Sequence, residues 1–431
     1  MKRAILLGTA SALFAVASAC ASSEDEPLLP LPGPDSAAPP APDSSVDSGT
    51  DVVPDASTCT AAGWCMTDLP DPDLVLRDVW PFADRAFALA ESPTVGAKVL
   101  EWIRSGAQWK YIDDNSQNES GRGKYVGKMW SPGDDEIYFG VYPRTIYHGV
   151  RRGDVWSWTH EQLEDHVPDY GMPEYADHYS GRPTYFAIES SVPSLGIFGT
   201  SRDDVYAFYA NTIYHATNGD GGTRTWSVDY VAGDRDRPTE QLVFLGAAGT
   251  SKDDLWFAGG RGGDPNAFSA CAILVRKTPD GYQRIADGAF TLPFLPCGER
   301  TDTLFIEGAD GWLTDLHALS DHRLVGLKGA RDVVEISVSG DDVTISRASI
   351  PEALSRRNLL SLWSAPNEPL WIGGFNLVLR GDDVWDGGSF GVSTIAFNGA
   401  WLTMPVHQIR GSSKVDLWAV GARYALHKTT P

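Results

Sequence analysis

A short pattern of apolar and polar positions recurs along the chain from Cys59 onward. Each copy contains an apolar strand, a small polar turn with aspartate, and a short strand that carries an aromatic residue. The copies read T-S-R-D-D-V-Y at 200–206, T-S-K-D-D-L-W at 250–256 and S-S-K-V-D-L-W at 412–418, with weaker copies at 132–138, 319–325 and 365–371. β-Branched and aromatic residues between turns rich in Gly, Asp and Asn favour strands over helices.

The last residue of each copy defines an anchor position in seven successive units. The anchors are Phe87, Tyr138, Tyr206, Trp256, Val325, Trp371 and Trp418, and the copy that ends at Phe87 is the weakest. Third strands are predicted at 145–148, 212–215, 272–276 and 424–427, and fourth strands begin near Trp109, Trp156, Trp226, Tyr282 and Trp401. Units of roughly 50 residues with four short strands each are typical of β-propeller blades.

The two ends of the repeat region complement each other. The last unit stops at 428–431, before a fourth strand, whereas A-A-G-W-C-M-T-D-L-P at 61–70 is similar to G-A-W-L-T-M-P at 399–405. Pairing the N-terminal strand with the last blade closes the ring and removes an exposed sheet edge. We therefore predict an all-β, seven-bladed β-propeller of four-stranded blades over 59–431, closed by an N-terminal strand.

The repeats resemble those of secreted bacterial β-propellers of the Trp-Asp, Kelch and Asp-box type, over about residues 59–431. The segment at 220–226 is similar to an Asp box with one residue too many. The resemblance implies a fold and leaves the function open, because propellers serve as binding modules, scaffolds and unrelated enzymes.

The N-terminus has the pattern of an export signal. Lys2 and Arg3 precede an uncharged, mostly apolar stretch at 4–19, which is shorter than the roughly 20 residues of a bilayer-spanning helix. The following A-S-A-C at 17–20 resembles the lipobox of bacterial lipoproteins, although Ala17 stands where that family usually has Leu. The resemblance implies a signal peptide at 1–19 and lipidation of Cys20. The alternative is ordinary cleavage that leaves Cys20 unmodified.

Residues 20–58 form a Pro/Asp/Ser-rich tether. The stretch 21–58 contains eight acidic residues, eight prolines and no Lys or Arg. Such a composition buries too little apolar surface to offset its ordering entropy, so we expect an extended, disordered segment of about 3 Å per residue where it is polyproline-like. Ala21 after the lipidated cysteine resembles the outer-membrane pattern of such lipoproteins, and the domain would face the periplasm or the cell surface.

The charge of the chain excludes one class of partner. The 431 residues include 57 Asp and Glu against 35 Lys and Arg, which gives a formal net charge of −22. Binding to a phosphate backbone requires clustered cations, so we expect no nucleic-acid partner. Much of the acidity lies in the tether and in the repeated turns.

Four cysteines remain besides Cys20, namely Cys59, Cys65, Cys271 and Cys297. An even number in an exported domain favours disulfides, and four cysteines allow three pairings. We favour Cys59–Cys65, which would brace the closing strand, with Cys271–Cys297, which would tie down the segment between units four and five. Free thiols are the alternative.

Several residues are candidates for catalytic or metal-binding groups. G-G-S-F-G at 387–391 fits the spacing of a nucleophile elbow but lies between two strands, so we interpret it as a glycine-rich loop. His148, His215 and His427 share one repeat position, occupied elsewhere by Arg276 or Trp102, which favours blade packing. His160, His166 and His178 lie among carboxylates, but their spacing matches no chelating motif. We expect no metal and no cofactor.

The longest interval, at 159–186, carries the best candidate ligand site. It contains Tyr170, Tyr175, His178 and Tyr179, with Tyr185 and Phe186 nearby. Aromatic side chains on a propeller loop can stack on sugars or contact a partner protein, whereas the alternative is that they cover the small core of the insertion itself. The cysteine-bracketed segment 271–297 would contribute to the same ligand face.

These observations favour a non-enzymatic, monomeric binding or scaffold module at the cell envelope. It would be anchored by lipid in the outer membrane, with a glycan or protein as its ligand. One alternative is an extracellular glycan-active hydrolase or lyase, whose acid and base would converge from different blades. Another is a structural subunit of an envelope complex, which an exposed apolar patch would favour.

Overall fold

The computed structural model describes residues 58–121, 125–142, 144–164, 195–218, 224–233, 241–262, 270–290, 296–354, 359–397 and 399–430. Residues 55–431 form one compact unit. Within the described ranges the structure is built from strands, and the single helical element is a 3-10 helix at Ser116–Gly121. No described helix is long and apolar enough to cross a bilayer.

Seven four-stranded antiparallel sheets follow one another along the chain. The closing strand is β1 (Trp64–Thr67). Blade one contains β2 (Val75–Pro81), β3 (Arg85–Ser92), β4 (Gly96–Ile103) and β5 (Gln108–Tyr111), and blade two contains β6 (Val126–Gly133), β7 (Glu136–Val141), β8 (Thr145–Arg152) and β9 (Val155–Gln162). Blade three contains β10 (Leu195–Ser201), β11 (Asp204–Tyr209), β12 (Thr212–Asn218) and β13 (Arg224–Val231), and blade four contains β14 (Gln241–Ser251), β15 (Asp254–Gly262), β16 (Ala270–Thr278) and β17 (Gly281–Ala286).

The second half continues in the same way. A short hairpin of β18 (Ala289–Phe290) and β19 (Cys297–Gly298) precedes blade five, which contains β20 (Leu313–Ser320), β21 (Arg323–Lys328), β22 (Asp332–Ser339) and β23 (Asp342–Ser349). Blade six contains β24 (Leu359–Trp363), β25 (Leu370–Gly374), β26 (Leu377–Asp382) and β27 (Ser389–Ser393). A hairpin of β28 (Ala396–Phe397) and β29 (Ala400–Trp401) leads to blade seven, with β30 (Val406–Ser413), β31 (Asp416–Gly421) and β32 (Tyr424–Lys428).

The ring is closed by the N-terminal strand, as predicted. Blade seven has the order β1-β32-β31-β30, and Trp64 lies opposite Lys428 in the antiparallel register. Cys59 and Cys65 form a disulfide that holds the start of this strand. The chain is a seven-bladed β-propeller of four-stranded blades.

The seven anchor residues all lie in the second strands of their blades, which confirms the repeat prediction. The position of Trp401 was predicted wrongly. It lies in β29, between two blades, and is 57% exposed, whereas Trp64 in the closing strand is fully buried. The fourth strand of blade six is β27, which contains no tryptophan. The similarity between 61–70 and 399–405 therefore does not mark equivalent positions, although the closure inferred from it is correct.

The hydrophobic core lies between neighbouring blades. Trp418 of blade seven packs edge-on against Trp102 and Trp109 of blade one, with ring centroids 4.9 and 5.2 Å apart. Trp64 of the closing strand packs in the same way against Trp371 of blade six, at 5.9 Å. Burial of each large side chain contributes roughly 1.5–3 kcal/mol. The repeated aromatic anchors therefore join one blade to the next.

The innermost strands face each other around a central channel and carry β-bulges at matching positions. The register shifts just before Asp78, Gly246, Asp315, Ser361 and Gln408. Since an inner strand has no backbone partner on its channel side, its amide groups need other acceptors. Three of these side chains supply them: Asp78 accepts from Met129 N at 2.9 Å, Asp315 from Leu362 N at 3.0 Å and Ser361 from Ile409 N at 2.7 Å. Each bond joins one blade to the first strand of the following blade.

Candidate functional site

The propeller has two faces with different kinds of chain segment. In each blade the strands run up and down, so the turn between second and third strands and the connection to the next blade lie at one end. We call this end the connection face, and the opposite end the turn face. The connection face receives the long segments 112–125, 163–194, 287–312 and 394–405, whereas the turns between first and second strands, such as 134–135 and 252–253, are short. The longer segments, whose lengths differ from blade to blade, therefore concentrate on the connection face.

A groove of about 970 Å³ opens on this face between blades one and two. Its lining includes Thr94, Lys98, Asn115, Asn118 and Tyr125. The Tyr125 ring is 39% exposed and lies edge-on to Tyr142, with ring centroids 6.2 Å apart. An exposed aromatic ring beside amide and hydroxyl groups can bind a ligand that has both apolar and hydrogen-bonding surfaces.

The floor of the groove is fixed by Asn118. Its Oδ1 accepts from Ala97 N at 2.8 Å, and its Nδ2 donates to Ala97 O at 2.9 Å and to Asn115 Oδ1 at 2.8 Å. A side chain at Gly96 would place its Cβ 2.2 Å from Asn118 Oδ1, and the backbone there has φ of +75°. Only glycine fits both conditions without strain. The groove is thus pre-formed by the turn of blade one.

Glu91 ties the groove wall to the second blade. Its Oε1 accepts from Val126 N at 2.9 Å, and its Oε2 accepts from Arg77 Nε at 2.9 Å. Burial raises the pKa of the Glu91 carboxyl above its ordinary value, although Arg77 and the Val126 amide act in the opposite direction. The role of Glu91 in this arrangement is to hold β3 and β6 together.

The predicted ligand residues Tyr170, Tyr175, His178 and Tyr179 lie outside the described residues. The predicted start of their insertion at 159 is wrong, because Thr159–Gln162 belong to β9 and pair with β8. His160 lies on that strand and stacks on Tyr147, with ring centroids 5.0 Å apart. The strands that flank the insertion, β9 and β10, end and begin at the connection face.

The second half of the predicted ligand face is held by a disulfide. Cys271 in β16 and Cys297 in β19 are joined, so both favoured pairings are present in the structure. A Cβ at Gly288 would lie 2.2 Å from Cys297 Sγ, so the chain can pass the disulfide only with glycine here. The bridge joins blade four to the segment that leads to blade five.

A buried ion cluster that no sequence motif indicates lies beside this disulfide. Asp287 accepts from Arg261 Nε at 3.1 Å and Nη2 at 2.7 Å, and from Arg284 Nη1 at 3.1 Å. Both Arg261 and Asp287 are almost fully buried. The cluster supports the base of the segment 287–312. A usable sequence signal was absent, since Arg261 precedes its partner by 26 residues.

The repeated histidines have the structural role that the sequence predicted. His148, His215 and His427 lie opposite the anchors Tyr138, Tyr206 and Trp418, and each stacks on its anchor ring with centroids 4.1–4.3 Å apart. Because a carboxylate only accepts, each histidine Nε2 donates to an acid two residues before the anchor. The partners are Glu136 at 2.9 Å, Asp204 at 3.2 Å and Asp416 at 2.7 Å.

A side-chain pair between the second and third strands also occurs in other blades, but with different residue types. In blade four Arg276 donates to Asp254 at 2.7 Å and lies over the Trp256 ring. In blades one and five the charges are exchanged. Arg85 donates to Glu101 at 2.8 Å and Arg323 donates to Glu335 at 2.5 Å, so the cation is on the second strand and the acid on the third. The position equivalent to His148 in blade one is therefore Glu101, and the prediction of Trp102 was wrong.

The structure describes some of the remaining chemical candidates. Ser389 begins β27 directly after a turn at 383–388, with a strand on each side. Among the described residues there is no group of three or more His, Cys, Asp or Glu side chains that could hold a metal ion. His166 and His178 lie outside those residues, as do Asp220 to Thr223 of the segment similar to an Asp box.

Comparisons with known proteins identify the fold and leave the family open. No family model matches the chain, and no curated protein matches it. The structure is similar to that of YCF48 bound to D1 peptide, with 13% sequence identity and a TM-score of 0.53, over 87% of this chain and 98% of that chain. It is also similar to YCF48 from Cyanidioschyzon merolae, with the same identity and TM-score, over 86% and 99% of the two chains. Such low identity is evidence for the fold alone.

Proposed function

We propose that this propeller is a non-enzymatic binding module that holds a polypeptide ligand on its connection face. The observation that carries the proposal is the placement of the groove and of the long connecting segments on one face. In the described part of the chain, the opposite face consists of short turns. A solved structure with the same fold is described as YCF48 bound to D1 peptide, which supports a peptide as the ligand class.

The proposal includes the predicted aromatic residues of the insertion. Tyr170, Tyr175, His178 and Tyr179 belong to the segment between β9 and β10, which both reach the connection face. Together with Tyr125, they would form part of one ligand surface. A glycan is the alternative ligand, since aromatic rings can also stack on sugars.

We further propose that the module is exported and anchored in the outer membrane through lipid on Cys20. The lipobox-like A-S-A-C and the acidic, proline-rich stretch 21–58 support this location. The disulfides Cys59–Cys65 and Cys271–Cys297 are consistent with an oxidising compartment. Labelled palmitate should enter the wild-type protein and not Cys20→Ser, and equal labelling of both would contradict the lipid anchor.

Binding is tested with the full chain that carries Cys20→Ser, screened against peptide and glycan arrays. We expect saturable binding to a subset of peptides, weakened by Tyr125→Ala and by Tyr175→Ala with Tyr179→Ala. Val155→Ala is the matched control, because Val155 is 67% exposed and lies at the turn face. Binding to glycans alone would replace the peptide with a sugar ligand. Release of a cleaved product would contradict the non-enzymatic proposal.

A further inference from the structure

The central channel contains a chamber that is separate from the groove. Its volume is about 280 Å³, slightly below the range of about 300–1,000 Å³ typical of sites for drug-sized ligands. The chamber is lined by residues of the first strands of all seven blades. It includes Pro81 and Trp363, the last residues of β2 and β24, so it lies toward the turn face.

The wall of the chamber combines aromatic rings with charged groups. Trp80, Phe198 and Trp363 supply apolar surface, and Lys128, Asp315, His317 and Arg410 supply polar groups. Lys128 Nζ donates to Asp315 Oδ1 at 2.9 Å across the channel, from blade two to blade five. Lys128 and Asp315 compensate each other's charge, and Arg410 is the other cation of the wall, with Asp78 as its ion-pair partner.

Arg410 is held in place by its surroundings while part of its hydrogen-bonding capacity is unused. Its guanidinium lies 4.5 Å from the centroid of the Trp80 ring, and its Nη2 lies 3.6 Å from Asp78 Oδ1. Asp78 also accepts from the amides of Val79 and Met129, at 2.8 and 2.9 Å. Arg410 is 9% exposed, and among the described residues its Nε and Nη1 have no hydrogen-bond partner.

His317, from blade five, is a second lining residue of the chamber with a polar atom that is unpaired in the described part of the chain. Its Nε2 is buried and has no partner among the described residues. An unpaired buried polar group is destabilising, and native proteins keep few of them without a functional reason. Two such side chains line one chamber beside three aromatic rings. This combination is typical of a ligand site.

We propose that the chamber binds a small aromatic carboxylate, with its carboxylate accepting from Arg410 and His317 and its ring packed among Trp80, Phe198 and Trp363. A charge-assisted hydrogen bond to a buried arginine is among the stronger polar contacts in proteins. Packing of the ring against these side chains would remove apolar surface from water. This site is distinct from the groove and does not depend on a polypeptide ligand.

The test uses benzoate as the probe and benzamide as its uncharged counterpart, measured by titration calorimetry on the full chain with Cys20→Ser. We expect one saturable site for benzoate and at least about tenfold weaker binding of benzamide. Arg410→Gln should weaken benzoate binding by about 10- to 100-fold, as expected for loss of a hydrogen bond to a charged group. Arg380→Gln is the matched control, because Arg380 also lies over a tryptophan ring, that of Trp371 at 5.8 Å, but outside the chamber.

The comparison of the two probes needs no variant, so it holds even if Arg410→Gln fails to fold. His317→Leu gives a second variant, with an expected loss of about tenfold in benzoate affinity. The proposal is overturned if benzoate shows no saturable binding, if benzamide binds equally well, or if folded Arg410→Gln binds like the wild type. Unchanged benzoate binding by Tyr125→Ala is expected, since that ring belongs to the groove.

Discussion

The ion pair across the central channel and the ion pairs within the blades each join a basic side chain to a carboxylate, but they differ in their surroundings. Lys128 and Asp315 have side chains 12% and 5% exposed, and they join blades two and five. Arg323 and Glu335 are 41% and 15% exposed and belong to one blade. The channel pair joins blades on different sides of the ring, whereas the blade pairs repeat and each stabilises a local strand pairing. Burial therefore decides how much each pair contributes.

The largest effect is expected from breaking the channel pair. Asp315→Asn keeps an acceptor for the Leu362 amide but leaves Lys128 charged and buried without its carboxylate. Loss of one partner of a buried pair costs about 3–5 kcal/mol. We expect this loss in the free energy of unfolding, measured by urea denaturation.

The matched double variant separates charge from packing. Lys128→Met with Asp315→Asn removes both charges and keeps the volume, so it should be clearly more stable than Asp315→Asn alone. If the single and double variants are equally unstable, the buried charge of Lys128 does not cause the loss.

The pH dependence of stability should also separate the two regions. Burial lowers the pKa of His317 and of His407 to about 4. His407 Nδ1 donates to Leu76 O at 2.9 Å and its Nε2 faces Arg77, so its neutral form fits the site. Since each folded pKa is below the unfolded value of about 6.5, their stabilisation is present above pH 6.5 and is lost as the pH falls toward 4. The loss is about 1.4 kcal/mol per histidine for each pH unit.

The carboxylates of the blade pairs affect stability at lower pH than the two histidines do. Burial raises the pKa values of Glu136 and Asp204, but the histidines and hydroxyls around them lower both below the ordinary 4.5 and 3.8. Their stabilisation is present above those values and is lost only as the pH falls further. The melting temperature of His317→Gln with His407→Gln should therefore change less than that of the wild type between pH 6.5 and 5. An equally steep fall in the melting temperature of both proteins would show that other groups titrate in this pH range.

The sequence predicted local features well and distant ones poorly. Anchors such as Tyr206 and Trp418 were found because the turn and the aromatic residue are neighbours in the chain. The copy at Phe87 looked weak because blade one has Arg85 where blades two, three, four and seven have an acid, and the exchanged charge hides the repeat. Trp401 was misplaced because a Gly-Ala-Trp sequence does not distinguish a blade strand from a connecting hairpin. The channel residues Lys128, Asp315 and Arg410 come from blades two, five and seven, so no spacing connects them.

The exchanged charges in blade five provide a smaller test of the blade pairs. Arg323→Glu places like charges beside Glu335 and should destabilise the protein by roughly 1 kcal/mol, since the pair is partly exposed. The double variant Arg323→Glu with Glu335→Arg creates the arrangement of blade four and should recover most of the loss. A double-mutant cycle measures the coupling. If the double variant is no more stable than the singles, the orientation of the pair matters and the blades are not equivalent.

The smallest effect is expected in blade six, where the pair is missing. Pro369 occupies the position of the acid, two residues before Trp371, and Arg380 instead donates to Asp382 at 3.0 Å. Replacing proline changes the unfolded chain as well, so Pro369→Asp must be compared with Pro369→Asn and not with the wild type. We expect the aspartate variant to be more stable by about 0.3–0.5 kcal/mol, because Arg380 is 44% exposed and its new pair is screened by solvent. The difference should disappear at high salt, and a difference that persists there would show that charge is not its cause.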